Sequence, residues 1–236
     1  MFPLKDNVPT RSFPVVTVGL IAVNALVFLW EISGTPLDVD VVHYGYYPCD
    51  VQGPCVAPAT EQEIGLVPSV FTSMFMHGGW FHLLGNMLFL WIFGNNVEDA
   101  LGRVRFLIWY LGAGIAATVA QTVVTLWFGD AQAASVPNIG ASGAIAGVLG
   151  AYFLLLPSAK VLTLIFLGII FFIQEIPAIF YLAFWFAFQA WQGGWSILHP
   201  EANGGVAFFA HIGGFVFGLL TVRLFKSRTW VAPAYR

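Results

Sequence analysis

The stretch Asn138-Ile139-Gly140-Ala141-Ser142-Gly143-Ala144-Ile145-Ala146-Gly147 is the starting point for interpreting this chain. It places one serine among glycines and alanines at the start of an apolar run. Such a serine fits two roles: a nucleophile, or a small residue that allows two membrane helices to pack closely. Small-residue runs are common in membrane helices, so the stretch by itself favours packing. The rest of the sequence favours the nucleophile.

The composition is that of an integral membrane protein. Of the 236 residues, 58% are hydrophobic and only 9% are charged, whereas soluble proteins average about 25% charged residues. Residues 13–30 are too long and too apolar for a signal-peptide core, and a turn rather than a cleavage site follows them, so we expect a retained first span. The sequence has no basic patch of the kind that nucleic-acid binding needs, which excludes a nucleic-acid partner.

Hydropathy predicts an all-α polytopic membrane protein with a bundle of six transmembrane helices. A bilayer crossing takes about 20 residues, and the segments with sufficient length and apolarity lie near 14–31, 80–98, 104–128, 141–156, 177–192 and 206–226. A seventh apolar segment, 161–173, is short for a span and is expected to be interfacial or re-entrant. Pro177 is a suitable first residue for the fifth helix, because its missing N–H would have no acceptor there.

Charge placement supports six spans rather than seven. With six, all nine Lys and Arg residues fall on one side, and the opposite loops carry only acidic residues. The positive-inside rule then places both termini in the cytoplasm. The expected organisation is a cytoplasmic segment 1–13, a membrane domain 14–226 and a cytoplasmic tail 227–236.

The first outer loop, residues 32–79, is much longer than the usual connection between packed helices. It contains the only two cysteines of the chain, Cys49 and Cys55. On an oxidising side of the membrane, so close a pair favours a disulfide. A metal site is the weaker alternative, because the sequence offers few further ligands nearby.

Polar residues within membrane helices need a partner or a function. His82 and Asn86 are four residues apart and share one face of the second helix. His211 lies in the sixth helix, beside a ridge of small residues formed by Ala210, Gly214 and Gly218.

A second small-residue ridge, Gly143 and Gly147, follows Ser142 in the fourth helix. Two such ridges allow helices four and six to approach closely, which a hydrogen bond between Ser142 and His211 requires. Counted at about 1.5 Å per residue, Ser142, His82, Asn86 and His211 all fall in one layer near the outer face.

These residue types suit a serine hydrolase. A serine hydroxyl becomes a good nucleophile when a base takes its proton, and His211 is the candidate base. The oxyanion formed by attack on a peptide carbonyl needs fixed donors, for which Asn86, His82 and the Ser142 N–H are candidates. No carboxylate is expected in the same layer, so the predicted catalytic unit is a Ser–His dyad.

The chain resembles the rhomboid family of intramembrane serine proteases over about residues 70–226. The resemblance rests on Gly140-Ala141-Ser142-Gly143, Ala210-His211-Ile212-Gly213-Gly214, His82-Leu83-Leu84-Gly85-Asn86 and the segment Gly94 to Gly102 around Glu98. It implies that Ser142 is the nucleophile, that His211 is the base and that His82 and Asn86 belong to the oxyanion site. It also implies a six-helix core and a mobile gate formed by the fifth helix and residues 193–205.

One further expectation and one departure from the family pattern concern individual positions. Glu98 is assigned a structural role, either paired with Arg103 or Arg105 or accepting N–H groups from the following loop. The chain departs from many family members at Pro68-Ser69, where they carry a Trp-Arg pair.

The sequence thus predicts a protease, free of metal and organic cofactors, that cleaves transmembrane segments of other membrane proteins near their outer ends. A bacterial plasma membrane is the expected location, and the sequence leaves the oligomeric state open. A client-binding relative without activity, a zinc site and a small proton-coupled transporter are the alternatives. The retained serine and histidine disfavour the first, and the absence of a His-Glu-x-x-His pattern disfavours the second. The lack of repeated halves disfavours the third.

Overall fold

The computed structural model describes residues 1–34, 36–53, 55, 64–199 and 206–233. The loop part of the predicted gate, 200–205, lies outside these residues, as do four charged residues that the predicted orientation used: Glu61, Glu63 and Glu201 of the outer loops and Arg236 of the C-terminal tail. The α-helices of the described part are, in chain order, α1 (Val15–Glu31), α2 (Leu37–Tyr44), α3 (Leu66–Thr72), α4 (Trp80–Phe89), α5 (Asn95–Leu101), α6 (Arg103–Phe128), α7 (Ala131–Ala134), α8 (Ser142–Leu155), α9 (Ala178–Leu198) and α10 (Phe208–Phe225).

Every segment predicted to cross the membrane contains a helix. The second is formed by α4 and α5, which are joined by a π-helical stretch, Leu90–Gly94. The fifth begins at Ala178, immediately after Pro177. By length and apolarity, two of the described helices, α6 and α10, are able to cross a membrane, so the count of six crossings stays a prediction.

The segment 161–173, which was expected to be interfacial or re-entrant, forms most of a β-hairpin in this mostly helical chain. Strands β2 (Lys160–Leu167) and β3 (Ile170–Pro177) pair antiparallel, and β1 (Phe2–Asp6) pairs antiparallel with β2 on its other side. The segment is rich in β-branched and aromatic residues, which favour strands. Gly168 adopts φ +66° in the two-residue turn, a conformation that glycine reaches without strain.

A buried carboxyl group anchors this sheet to the helices. Tyr152 Oη and Asn96 Nδ2 donate to Asp6 Oδ2 at 2.6 and 2.7 Å. Burial raises the pKa of Asp6 to about 6, against a partial lowering by the hydrogen bond from Tyr152. The N-terminal strand is therefore fixed to α5 and α8.

The two ends of the described chain meet at this same end of the bundle. The Arg11 guanidinium donates to the Val231 carbonyl at 2.6 Å, and the Ser227 N–H donates to the Ala100 carbonyl at 2.9 Å. This arrangement is compatible with an even number of membrane crossings, because the two ends of the chain then lie on one side of the membrane.

Helix α8 is the centre of the bundle, and all residues from Gly143 to Tyr152 are buried. Helix α10 lies so close to it that a Cβ atom at Gly214 would collide with the Gly143 carbonyl oxygen. A Cβ atom at Gly218 would collide with the Gly147 carbonyl oxygen in the same way. The two small-residue ridges therefore lie directly against each other.

Glu98, in α5, is buried, but its hydrogen-bond partners differ from those expected. Its carboxylate accepts the Val16 N–H at 3.0 Å, and the N–H and hydroxyl of Thr17 at 2.7 and 2.8 Å. These amides belong to the first turn of α1, and the N–H groups of a first turn have no acceptors within their own helix. Glu98 thus caps α1, and the expected pairing with Arg103, Arg105 or the following loop was wrong.

Candidate active site

Ser142 and His211 meet where α8 and α10 begin. Ser142 is the first residue of α8, and His211 lies in the first turn of α10. The Ser142 Oγ and His211 Nε2 atoms are 2.8 Å apart, within hydrogen-bond distance. The contact of the glycine ridges brings the two helix ends this close.

The start of α10 is held by a glutamine from α6. Gln121 Oε1 accepts the N–H groups of Phe209 and Ala210 at 3.1 and 3.2 Å. Both amides belong to the first turn of α10, where backbone N–H groups lack i−4 acceptors within the helix; the Ala210 N–H also donates to the Ala207 carbonyl at 3.1 Å. Gln121 therefore fixes the helix end that carries His211, a role that was not predicted from the sequence.

The loop before Ser142 passes against the second helix of the predicted core. Gly140 adopts φ +117°, and a Cβ atom there would be 2.7 Å from His82 Nε2 and 3.7 Å from Asn86 Nδ2. The Gly140 N–H donates to the Ser73 carbonyl at 2.8 Å. Only glycine suits this backbone conformation and this close approach, which bring His82 and Asn86 beside the residues preceding Ser142.

The polar groups around this loop are mainly hydrogen-bond donors. His82 Nδ1 accepts the Gly78 N–H at 3.4 Å, so in the neutral ring the proton lies on Nε2, the nitrogen that faces Gly140. Asn86 Nδ2 is buried and has no acceptor among the described residues. The Ser142 N–H belongs to the first turn of α8, where amides have no acceptor within the helix. A cluster of unused donors next to a nucleophile is suited to binding an oxyanion.

The second nitrogen of His211 also has a partner. His211 Nδ1 lies 2.8 Å from Gln189 Oε1 of α9. The indole ring of Trp185, one turn earlier in α9, lies with its centroid 5.9 Å from the imidazole centroid, and the two planes are tilted by 39°. Neither contact was predicted from the sequence, where only a carboxylate was considered as a partner for His211.

A small cavity lies beside the serine, and a larger cleft adjoins this cavity. The small cavity, of about 40 Å³, is lined by residues that include Gly140, Ser142 and Gln121, and it has room for about one water molecule. The larger cleft, of about 530 Å³, shares Gln121, Asn138 and Ala207 with it. The hydroxyl of Ser142 therefore lies next to space that water can occupy.

Cys49 and Cys55 are joined by a disulfide, with their Cα atoms 5.3 Å apart. Among the described residues, the two cysteines and Asp50 form a group whose potential metal-ligand atoms all lie within 4.8 Å of one another. Because both sulfur atoms are in the disulfide, neither is a thiolate, the form that binds metal. The disulfide is the pairing that the sequence favoured over a metal site.

The family profile of the Rhomboid domain matches residues 66–228, which include Ser142, His211, His82 and Asn86. The mitochondrial rhomboid protein 1 of Saccharomyces cerevisiae is 33% identical over 154 residues, covering 64% of this chain and 40% of the yeast protein. The mouse presenilin-associated rhomboid-like protein, mitochondrial, is 29% identical over 219 residues, covering 90% of this chain and 49% of the mouse protein. YdcA of Bacillus subtilis, provisionally designated a rhomboid protease, is 32% identical over 154 residues, covering 64% of this chain and 68% of YdcA.

This chain spans half or less of the length of the yeast and mouse proteins. Both of these relatives carry the designation mitochondrial, whereas YdcA is bacterial. The comparisons therefore give no support to the expected bacterial plasma membrane.

Proposed function

The chain belongs to the rhomboid family of integral membrane proteins, and on this basis we propose that it is an intramembrane serine endopeptidase. Its substrates are other membrane proteins, cut within or near their transmembrane segments. The observation that carries the proposal is the 2.8 Å contact between Ser142 Oγ and His211 Nε2, set beside the donors around Gly140. A serine used only for packing would not need a histidine at this distance.

The first chemical step is attack on the substrate. His211 Nε2 takes the proton of the Ser142 hydroxyl while Oγ forms a bond to the scissile carbonyl carbon. The carbonyl oxygen becomes an oxyanion, which Asn86 Nδ2–H, His82 Nε2–H and the Ser142 N–H stabilise. Each donor of this kind contributes about 3–4 kcal/mol to transition-state stabilisation in a well-ordered site.

The intermediate then collapses in two stages. His211 donates its proton to the leaving amine, the peptide C–N bond breaks, and the acyl group remains on Ser142. A water molecule then attacks this ester while His211 takes one of its protons. His211 passes that proton to Ser142 Oγ as the bond between Oγ and the acyl carbon breaks, and the second product leaves as a carboxylic acid. The small cavity beside Ser142 is where such a water would be held.

The location of the site constrains the substrate. In a transmembrane helix the backbone carbonyl groups accept hydrogen bonds from within the helix. A substrate helix must therefore unwind locally before a carbonyl group becomes accessible to Ser142. We therefore expect small, helix-weakening residues near the cleavage site, because Gly and β-branched residues lower the cost of unwinding.

The test is cleavage of a tagged single-span substrate by the full chain in proteoliposomes. Ser142→Ala and His211→Ala should each reduce cleavage about a thousandfold or more, because nucleophile and base act as one unit. Ser33→Ala, which changes an exposed residue whose hydroxyl donates to the Trp30 carbonyl, should cleave normally. A chelator should leave wild-type cleavage unchanged.

Cleavage that survives Ser142→Ala would refute the serine mechanism. Loss of cleavage in the presence of the chelator would support a metal-dependent alternative instead. A folded wild-type protein that cleaves none of several substrates would favour the client-binding alternative.

A further inference from the structure

Helix α9 contributes two side chains, Gln189 and Trp185, that contact the His211 imidazole away from Ser142. Gln189 Oε1 lies 2.8 Å from His211 Nδ1, and the Trp185 ring packs against the imidazole. The two residues are four apart, so they project from one face of α9. The imidazole is thus enclosed between Ser142 on α8 and this pair on α9.

The chemistry of an amide oxygen determines the protonation of the ring. A carbonyl oxygen only accepts hydrogen bonds, so Nδ1 must carry the proton when it contacts Gln189 Oε1. In a neutral imidazole the other nitrogen, Nε2, then has a free lone pair, and it faces the Ser142 hydroxyl. Gln189 is 8% exposed, so bulk water competes little for this bond.

We propose that Gln189 is the positioning residue that holds His211 in the tautomer and orientation of a general base. This inference rests on the proposed protease function of the site. It replaces the predicted two-residue unit with a chain of three, in which Gln189 takes the place that a carboxylate holds in the familiar triads. Gln189 does not contact the reacting atoms and acts only through His211.

The position of this residue links the base to a helix outside the α8–α10 pair. A displacement of α9 away from α10 removes both the acceptor on Nδ1 and the Trp185 ring. The imidazole is then free to rotate or to change tautomer, and a proton on Nε2 would block removal of the Ser142 proton. Ser142 is therefore activated only while α9 lies against α10.

The test compares substitutions at Gln189 that differ in one property. Gln189→Met keeps the length of the side chain and removes the strong acceptor, and Gln189→Leu does so with a different shape. Gln189→Glu keeps an oxygen acceptor at the same position. Gln192→Met, three residues further along α9, is the matched control. Each full-length variant is measured in proteoliposomes for kcat, KM and thermal stability, next to wild type, Ser142→Ala and His211→Ala.

We expect Gln189→Met and Gln189→Leu to lower kcat about 10- to 100-fold with KM within about twofold, because a buried Nδ1–H loses its partner while substrate binding is untouched. Gln189→Glu should recover most of the lost kcat, and Gln192→Met should match wild type. Activities are compared per folded molecule, and the leucine variant serves if the methionine variant fails to fold.

A wild-type kcat in folded Gln189→Met or Gln189→Leu would overturn the proposal, as would equal losses in the Met, Leu and Glu variants. If Ser142→Ala and His211→Ala are inactive in that case, only the role of Gln189 fails. If Ser142→Ala itself cleaves, the proposed function fails.

Discussion

Glu98→Gln is the substitution that best separates folding from chemistry in this protein. The carboxylate of Glu98 accepts three hydrogen bonds from Val16 and Thr17, and the residue is only 3% exposed. Glutamine has the same shape but only one acceptor oxygen. Its NH₂ group would face at least one amide N–H of α1, so a donor would be left without an acceptor.

The magnitude follows from the bonds that are lost. Hydrogen bonds to charged groups contribute about 1.5–3 kcal/mol each, and a neutral amide retains part of this through its remaining oxygen. We therefore expect Glu98→Gln to lower the free energy of unfolding by about 2–3 kcal/mol. For a chain of this length, that corresponds to a fall in Tm of roughly 4–12 °C.

The assay is thermal unfolding in detergent, followed by cleavage measured per folded molecule at a temperature below both transitions. Asp99→Asn is the matched control, because Asp99 is the adjacent acid and its one hydrogen bond among the described residues is exposed, from the Ser12 hydroxyl at 3.4 Å. The control should change stability by less than about 0.5 kcal/mol. A wild-type Tm with lost cleavage in Glu98→Gln would refute the capping role and assign Glu98 to the chemistry.

Three further predictions follow from the packing and the charges. Gly214→Ala should lower cleavage at least about tenfold and stability by about 1–3 kcal/mol in thermal unfolding, because the added methyl collides with the Gly143 carbonyl and moves α10 away from Ser142. Gly140→Ala should lower kcat strongly, with about 1–3 kcal/mol of strain, since φ is +117° and the methyl would be 2.7 Å from His82 Nε2. Burial raises the pKa of Asp6 from 3.8 to about 6, so its stabilising contribution is complete below about pH 4 and is lost as the pH rises through 6. Asp6→Asn should therefore flatten the decline in unfolding free energy between these pH values.

Gly19→Ala is the control for the two glycine substitutions, because it adds a methyl group where there is open space. A Cβ atom at Gly19 of α1 would meet nothing within 4 Å, so Gly19→Ala should raise stability slightly through helix propensity. A Gly214→Ala variant that cleaves normally would contradict the packing argument. For Asp6, an unchanged pH profile in the asparagine variant would show that another group causes the decline.

The residues of the Ser142 and His211 pair could be predicted because polar groups are rare in this apolar chain. Each one in a membrane helix calls for a partner, and the small-residue ridges indicated which helices meet. Glutamine gives no comparable signal, since it is neutral and common at helix surfaces. The contacts of Gln121 with α10 and of Gln189 with His211 depend on tertiary packing between residues 22 to 89 positions apart.

The β-hairpin was missed for a different reason. A short apolar run without clear periodicity fits a buried strand and a helix equally well. Here the decisive information is the pairing of β2 with the N-terminal strand, about 160 residues away. The partners of Glu98 were missed likewise, because a search among neighbouring cations does not reach α1.

The cap on α1 also affects the order of events while the chain is being synthesised. Thr17 and Glu98 are 81 positions apart, and at about 5–20 residues per second the ribosome needs roughly 4 to 16 s to make the intervening chain. During that interval the first amides of α1 have only solvent to bind, so this helix is made long before the group that completes it. The cap on the first helix therefore forms only after α5 has been synthesised.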